Sequence, residues 1–316
     1  EKMLEHISVM RDTCVDLLTP AINKSETPVV VDATLGLGGH SEALLESNPN
    51  LVLIGIDRDL DAIVEAKNRL AKYENRVKLN HAIFDEITDV VKSFGFRQVD
   101  GILFDLGVSS MQLDQSDRGF SYSQDAPLDM RMDRSTGITA SEIVNTYAPG
   151  ELVRILRTYG EEKFATRIVE NIVKERAKAP LNSTAQLATL VKESIPAATR
   201  RTGGNPAKRT FQALRIETND ELGAVNRAIP QALELLKVGG RLVVMSFQSL
   251  EDRIVKEIFA QATTSGTPRD LPIDLPEFAA KFALVVRGSV LPSEAEIAAN
   301  SRAQSVRLRA IERLAA

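Results

Sequence analysis

Residues 29–40 read VVVDATLGLGGH, and this stretch indicates the fold more directly than any other part of the 316-residue sequence. Three β-branched residues predict a short buried strand, and the glycines after them predict a tight turn before a helix around residues 42–45. Glycine lets the backbone of such a turn approach a ligand closely because it has no Cβ. The stretch therefore predicts a strand, a turn and a helix that together border a binding site.

The same alternation continues along the chain, with apolar strands at residues 51–57, 77–79 and 101–105 and helical patterns between them. Strands that are apolar throughout and alternate with helices predict a parallel α/β sheet that is covered on both faces. Ligands bind such sheets beyond the carboxyl ends of the strands. Asp32, Asp57 and Asp105 are predicted to lie at those ends.

Two classes of cofactor fit the glycine turn. The spacing Gly36-x-Gly38-x-x-Ser41 nearly matches the dinucleotide fingerprint, so an NAD-dependent oxidoreductase is one alternative. Asp32 favours an S-adenosylmethionine-dependent methyltransferase, because a carboxylate attracts the ammonium group of methionine and repels a pyrophosphate. A purely structural cap is the other role open to Asp32. Asp57 can accept hydrogen bonds from both ribose hydroxyls in either class, so it does not separate them.

The strand pattern stops after residue 112 and returns near residue 209. The segment between has helical periodicity at 151–177 and 184–194, which predicts an all-helical insert. We therefore predict a first part of the α/β domain at 1–112, the helical insert at 113–208 and a second part at 209–316. In the second part we expect a helix around 220–236, a turn at 237–240, and strands at 241–246, 282–286 and 306–311.

Charge is distributed unevenly along the chain. The formal net charge is −4, yet residues 151–209 contain 12 Lys plus Arg against 6 Glu and no Asp. A solvated helical face and a surface that contacts nucleic-acid phosphates both explain such a surplus. If the surface binds phosphates, we expect Arg200, Arg201, Lys208 and Arg209 to be among the contacts.

Composition limits the cellular setting and the chemistry. Hydrophobic residues make up 43% of the chain, and no apolar run approaches the roughly 18 to 20 residues that a bilayer requires. The first residues do not resemble a signal peptide, so we expect a cytoplasmic protein. Cys14 is the single cysteine, which argues against a multi-cysteine zinc site, and we assign no metal ligands. Cys14 also precedes the first strand, which disfavours methylation at C5 of cytosine, because that reaction needs a cysteine nucleophile at the base.

The loop that follows the fourth strand, residues 105–112, reads DLGVSSMQ. An acidic residue with backbone acceptors at this place suits the methylation of an exocyclic amine, whose delocalised lone pair has to be aimed at the methyl group. Little acid–base chemistry is required, so orientation should supply most of the rate. Asp105 is the candidate that positions the amine, and a strand-end cap is its alternative role.

The motifs taken together resemble the MraW, or RsmH, family of bacterial enzymes. The resemblance is carried by Gly38-Gly39-His40-Ser41, Asp57-Arg58-Asp59, Asp105-Leu106-Gly107-Val108-Ser109-Ser110, Arg118-Gly119-Phe120-Ser121, Pro127-Leu128-Asp129-Met130-Arg131-Met132, Tyr159-Gly160-Glu161-Glu162, the segment 209–216 and Ser249-Leu250-Glu251-Asp252-Arg253. It extends over nearly the whole chain. It implies methylation of N4 of a cytidine in the decoding region of 16S ribosomal RNA, by a Rossmann-like methyltransferase domain interrupted by a helical domain that helps to recognise RNA.

The resemblance also implies a set of ligand contacts. Cofactor contacts are expected at Gly38, Gly39, His40, Asp57, Phe84, Asp105 and Gln112. From the residues alone, core packing would account for Phe84 and helix capping for His40. We expect Ser109 and Ser110 to help position the base, within an assembled small ribosomal subunit. Whether the chain forms a homodimer is left open.

Two departures from the family pattern bear on mechanism. Gln248 stands where the family commonly has histidine, which weakens any role for that histidine as an obligatory base, since an amide takes up no proton near neutral pH. Residues 300–305 read NSRAQS in place of the usual NPRARS. A non-catalytic RNA-binding assembly factor that keeps the fold is a separate alternative for the function.

Overall fold

The computed structural model describes residues 8–107, 116–200 and 204–316. Its internal contacts divide the chain into two compact units. Glu1–Gly107 and Leu222–Ala316 form the first, which we call the sheet unit, and Val108–Glu221 form the second, which we call the helical unit. No helix in the described part of the chain is long and apolar enough to cross a membrane.

The sheet unit is a seven-stranded sheet with helices. Its strands are β1 (Val29–Asp32), β2 (Val52–Asp57), β3 (Val77–His81), β4 (Val99–Asp105), β5 (Leu236–Ser246), β6 (Phe282–Leu284) and β7 (Arg307–Arg313). Its helices are α1 (Arg11–Ile22), α2 (Gly39–Ser47), α3 (Leu60–Arg69), α4 (Ile87–Ser93), α11 (Glu221–Leu235), α12 (Ser249–Ala262) and α13 (Glu294–Ala299). The strand order is β3-β2-β1-β4-β5-β7-β6, parallel through β5, with β7 antiparallel to both of its neighbours. This confirms the predicted Rossmann-like α/β fold.

Alternate residues of each central strand belong to opposite cores. In β1, Val29 and Val31 join the cluster that contains the buried residues of α4, α11 and α12, whereas Val30 joins the cluster of α1, α2 and α3. All three are at most 3% exposed. Full burial of a valine is worth about 1.5–3 kcal/mol, so residues 29–31 stabilise both faces of the sheet at once.

The turn predicted at residues 237–240 lies within β5 as a bulge. Val99 pairs with Leu236 and Gly101 pairs with Arg241, so four residues of β5 lie opposite Asp100 alone. Gly239 has a φ of 82°, which a glycine adopts without strain. The buried Asp100 carboxylate fixes this irregularity by accepting hydrogen bonds from Val29 N at 2.8 Å and Lys237 Nζ at 3.3 Å. The residues predicted as a turn therefore form a β-bulge, and the strand continues beyond them.

The helical unit is built from α5 (Ala140–Thr146), α6 (Pro149–Thr158), α7 (Ala165–Arg176), α8 (Thr184–Ser194), the single turn α9 (Ala197–Arg200) and α10 (Lys208–Asn219). The helical pattern at 151–177 is interrupted between α6 and α7. A Cβ on Gly160 would lie 2.5 Å from the carbonyl oxygen of Arg209 and 2.8 Å from that of Leu156. Gly160 lies in this interruption, and because it has no side chain, α10 can approach the end of α6 closely.

The helical unit extends further along the chain than the helical pattern in the sequence. Among the described residues it continues to Glu221, beyond residue 208. The later end has a physical reason, since α10 buries Phe211 and Leu214 in the core of the helical unit. Asn219 adds hydrogen bonds to this core, because its Nδ2 donates to Met130 O and its Oδ1 accepts from Met132 N.

Candidate active site

The glycine turn joins β1 to α2 and is held between the neighbouring strands. Ala33 N donates to Leu103 O and Leu35 N donates to Ile56 O, at 2.9 and 2.8 Å. Gly38 precedes the first residue of α2 with a φ of 85°. A Cβ on Gly39 would lie 1.9 Å from Ser8 Oγ, so glycine lets the N-terminal segment pack on α2. The backbone N–H groups at the start of α2 suit an anionic group such as the methionine carboxylate.

Asp32 supports the turn from inside the protein. It is 1% exposed, its Oδ2 accepts from Ser41 Oγ at 2.7 Å, and its Oδ1 accepts from Thr34 N at 3.3 Å. Both oxygens are thus used within the turn, in agreement with the structural role that the sequence left open. Asp32 would therefore act on a ligand through the negative charge of its carboxylate.

Asp57 joins the turn to the end of β2. Its Oδ2 accepts from Gly36 N and its Oδ1 from Asp59 N, each at 2.8 Å. A carboxylate has about four lone-pair positions, so two remain for further donors such as ribose hydroxyls. The side chain can therefore fix the turn and bind a ligand together.

Asp105 is the last residue of β4. This strand pairs directly with β1, which ends at Asp32. The backbone N–H of Asp105 donates to Thr34 Oγ1 at 2.6 Å, and the next residue, Leu106, donates from its N–H to Met245 O at 3.0 Å. The Asp105 side chain is 28% exposed, so its carboxylate can be reached by a ligand. The prediction that Asp32, Asp57 and Asp105 share one edge of the sheet agrees with the strand register.

Burial alters the charge of these carboxyls. It raises the pKa of Asp32, Asp57 and Asp105 to about 6 in each case. Hydrogen bonds to Asp32 and Asp57 partly oppose the effect, as does the nearby His40 for Asp105. An edge of the sheet with such carboxyls favours a cationic ligand, which would stabilise their ionised forms.

His40 lies inside α2 and does not cap the helix. Its ring is 7% exposed, with Nε2 2.8 Å from Val9 O and Nδ1 3.8 Å from Asp105 Oδ2. The ring thus bridges the N-terminal segment and the end of β4. Cys14 in α1 is buried, and burial raises the pKa of its thiol, in agreement with a role in packing.

Phe84 lies in a short 3-10 helix, Phe84–Glu86, that follows β3. Its ring packs edge-on against Phe104, with ring centroids 5.4 Å apart. Because it is half-buried, Phe84 has one side in the core and another that is accessible. Core packing and contact with an adenine are therefore compatible in one side chain.

The residues proposed to contact RNA belong to the helical unit or fall outside the described residues. Ser109, Ser110 and Arg201 fall in the segments that the structure does not describe, as does Gln112, which was predicted to contact the cofactor. The other three belong to the helical unit, where Arg200 donates from Nε to Ile195 O, Lys208 is exposed, and Arg209 donates from Nη1 to Glu161 O. Exposure of Lys208 and Arg209 leaves them able to meet phosphates.

Gln248 immediately precedes α12, after the end of β5. Its side chain makes no capping hydrogen bond, and its Oε1 is buried without a hydrogen-bond partner among the described residues. An unpaired buried acceptor is costly, so a donor is expected to reach it in the working protein.

Two contributors were missed by reasoning from the sequence, Thr34 and Val9. Thr34 holds Asp105 through its hydroxyl, and Val9 holds His40 through its carbonyl. A hydroxyl residue directly after a strand-end aspartate was a usable signal for Thr34. A backbone carbonyl gives no signal in the sequence, so Val9 could be found only from the structure.

The site fits S-adenosylmethionine better than a dinucleotide. The cofactor's sulfonium and ammonium groups complement the carboxyls of Asp32 and Asp105, whereas a pyrophosphate at the glycine turn would be repelled by them. Among the described residues, no group of three or more His, Cys, Asp or Glu side chains could hold a metal ion.

The family match and the relatives of high sequence identity agree with this assignment. A model of the MraW methylase family matches residues 3–314. Ribosomal RNA small subunit methyltransferase H from Salinispora tropica is 57% identical over 312 residues, 98% of this chain and 84% of that protein. The protein of the same name from Saccharopolyspora erythraea is 57% identical over 309 residues, which cover 98% of this chain and 93% of its own. A solved rRNA methylase from Streptococcus thermophilus has a TM-score of 0.43 at 12% identity, over 96% of this chain and 95% of that one.

Proposed function

The chain belongs to the MraW methylase family, and on this premise we propose that it transfers a methyl group from S-adenosylmethionine to the N4 amine of a cytidine in 16S ribosomal RNA. The observation that carries the proposal is the position of Asp105, an accessible carboxylate at the end of β4 beside the glycine turn. The relatives of the chain, named ribosomal RNA small subunit methyltransferases, support the choice of substrate.

The residues of the site have distinct roles in this proposal. Asp57 accepts hydrogen bonds from the ribose hydroxyls, Phe84 packs on adenine, and the backbone at Gly38 and Gly39 binds the methionine end, while Gln112 adds a further contact. The cofactor supplies a methyl group on an electrophilic sulfonium. Asp105 accepts a hydrogen bond from the N4 amine and directs its lone pair, which is the orientation that an amine of low nucleophilicity needs.

The helical unit supplies RNA contacts in this proposal. Arg200, Arg201, Lys208 and Arg209 meet phosphates and fix the register of the RNA, while Ser109 and Ser110 contact the base. The cytidine has to leave its stack to reach Asp105. We further propose that the substrate is the assembled small ribosomal subunit in the cytoplasm.

The two alternative functions predict different behaviour. An NAD-dependent oxidoreductase would have to place a pyrophosphate beside the carboxyl of Asp32, against its charge. A non-catalytic assembly factor would bind the subunit equally well with Asp105 replaced, and cells would tolerate the replacement.

Methyl transfer to purified subunits tests the proposal. Small subunits from a strain without the endogenous enzyme are incubated with protein and cofactor labelled in the methyl group, beside the variants Asp105→Asn and Asp89→Asn. We expect label in the RNA with the wild type and with Asp89→Asn, a carboxylate on α4, and a loss of at least about tenfold with Asp105→Asn. Label in free DNA and none in the subunits would refute the substrate.

A further inference from the structure

The 3-10 helix Phe84–Glu86 is held from outside by one side chain of α11, that of Gln231. Its Nε2 donates to Asp85 O at 2.6 Å and to Arg227 O at 3.0 Å. Its Oε1 accepts from Thr88 Oγ1 at 2.8 Å and from Thr88 N at 3.3 Å. An amide side chain has two hydrogens to donate and two lone pairs. The Gln231 amide therefore uses its full hydrogen-bonding capacity in these four contacts.

Backbone partners fix the direction in which this amide points. A carbonyl oxygen only accepts and a backbone N–H only donates, so the nitrogen faces Asp85 and the oxygen faces Thr88. Thr88 is the second residue of α4, whose N-cap residue, Glu86, makes no side-chain capping hydrogen bond. Gln231 therefore provides from α11 the acceptor that a capping side chain normally provides within its own helix.

These contacts determine where the ring of Phe84 lies. The carbonyl of the next residue, Asp85, is bound to Gln231, and before the ring the N–H of Ala82 donates to a carbonyl of β2 at 3.0 Å. The ring itself packs edge-on against Phe104, which is fully buried in β4. Phe104 thus supports the inner side of the ring, and Gln231 fixes the backbone that carries it.

Arg227 makes a second contact with the same segment, one turn before Gln231 on α11. Its Nε donates to Asp85 Oδ2 at 2.9 Å, but the Arg227 side chain is 51% exposed. Ion pairs of exposed side chains contribute little, because water and salt screen them. Gln231 binds backbone groups that would lose their partner without it, and an unpaired group of that kind is costly where water is excluded. Gln231 is therefore the stronger of the two links.

We propose that Gln231 is a positioning residue for cofactor binding, because from α11 it holds Phe84 where the ring packs on adenine. The inference rests on the proposed function, which assigns the adenine contact to Phe84. Packing of an aromatic ring on a base depends on its distance and angle. A ring that is already fixed before the ligand arrives loses less conformational freedom on binding. Gln231 acts through residues 84–88 and does so without touching the cofactor.

A double-mutant cycle on the binding of S-adenosylhomocysteine tests the inference. Gln231→Met keeps the length of the side chain and removes the four hydrogen bonds. We expect it to weaken binding about 3- to 10-fold when Phe84 is present, the effect of about one net hydrogen bond. In a chain that also carries Phe84→Leu, we expect Gln231→Met to change the affinity less than about twofold, since the ring that it positions is gone. Calorimetry measures the four affinities.

The position of the ring can also be followed directly. The chain contains no tryptophan, so Phe84→Trp places a single fluorescent reporter at the ring. We expect Gln231→Met to increase the amplitude of nanosecond motion of this reporter in the cofactor-free protein, measured by time-resolved anisotropy. A general loss of stability would lower the free energy of unfolding without freeing the ring in the folded protein.

Controls separate this inference from the proposed function. Gln261→Met, the same substitution at an exposed residue of α12, should match the wild type in both measurements. If Gln231→Met does not fold, Gln231→Glu is the second variant; at about pH 8 its carboxylate still accepts from Thr88 but faces Asp85 O with an oxygen, so binding should weaken to a similar extent.

The outcomes decide the two proposals separately. Equal fold-changes with and without Phe84, or an unchanged anisotropy, overturn the inference. An unchanged affinity in Phe84→Leu alone overturns it together with the adenine contact. A wild-type protein that binds S-adenosylhomocysteine but methylates no subunit refutes the proposed methylation, while the cycle still decides the role of Gln231.

Discussion

In our proposal, Asp57 combines a structural contact with a binding role in a single side chain. Both of its oxygens accept backbone hydrogen bonds, from Gly36 and Asp59, and lone pairs remain for a ligand. Asp32 has the related but purely internal contacts with Ser41 and Thr34. At the scale of single residues, the site therefore depends on carboxylates that hold the turn in the shape that binds a ligand.

Asp57→Asn should weaken binding of S-adenosylhomocysteine about 10- to 100-fold. The amide keeps one acceptor oxygen, so one backbone N–H of the turn loses its partner and the ribose loses a charged acceptor, at about 1.5–3 kcal/mol for a hydrogen bond to a charged group. Calorimetry with Asp89→Asn as the control measures the effect. Equal affinities in the two variants would contradict the role of Asp57.

The pKa values of about 6 for the three carboxyls make the cofactor-free protein sensitive to pH. In the unfolded chain an aspartate titrates near about 3.9, so the folded state binds more protons between about pH 4 and 6. The stability contributed by a raised pKa is present below about pH 4 and is lost as the pH rises through about 6.

Asp105→Asn should therefore reduce this loss of stability. Between about pH 4 and 6, the free energy of unfolding should fall less steeply in the variant, by at most about 1.4 kcal/mol per pH unit, the value for one proton. Urea unfolding of the cofactor-free proteins at several pH values measures the slopes. Parallel curves for the wild type and the variant would show that Asp105 titrates normally.

Gly55 in β2 shows how one element is fitted to its neighbours. A Cβ at this position would lie 2.7 Å from Leu79 Cδ2 and 2.9 Å from Leu35 Cδ1. Leu79 belongs to β3 and Leu35 to the glycine turn, so the absence of a side chain lets both pack on the centre of β2. Overpacking at such a place strains the sheet next to the site.

Gly55→Ala should destabilise the protein by about 1–3 kcal/mol, the range for overpacked cores. The matched substitution Gly150→Ala, in α6, meets open space and should stabilise by about 0.4–1 kcal/mol through the unfolded state. Chemical denaturation measures both changes. Equal changes in the free energy of unfolding for the two substitutions would show that the close contacts at Gly55 do not destabilise the alanine variant.

The elements that the sequence predicts well are those in which local pattern and tertiary packing agree. The strand at 29–32 and the helix around 220–236 were predicted because their apolar residues face the cores. The bulge at 237–240 and the break at Gly160 depend on a distant partner, Asp100 in one case and Arg209 in the other. Contacts between residues far apart in the chain leave no periodic signal, and for the same reason Val9 was missed beside His40.

The whole molecule joins a sheet unit with the cofactor site to a helical unit with a surplus of basic residues. Residues 151–209, which carry 12 Lys plus Arg against 6 Glu, lie within the helical unit, although the net charge of the chain is −4. Total charge therefore describes the binding properties of this protein poorly, because attraction to RNA depends on the local surface.

Reversing the charge of Lys208 and Arg209 should weaken binding to the small subunit and make it less dependent on salt. For each phosphate that the variant no longer neutralises, the slope of log K against log salt should decrease by about 0.7–0.9. Lys178→Glu, an exposed residue beyond the end of α7, is the control. A double variant with the wild-type slope would place the RNA-binding surface elsewhere, provided that its circular dichroism is unchanged.

The identity of the methylated atom tests the central claim most directly. Small subunits methylated by the purified protein are digested to nucleosides, and tandem mass spectrometry distinguishes N4-methylcytidine from C5-methylcytidine and from other products. We predict N4-methylcytidine at one position of 16S ribosomal RNA, formed by the wild type and strongly reduced in Asp105→Asn. A methyl group on carbon, or none in the subunit, would contradict the account.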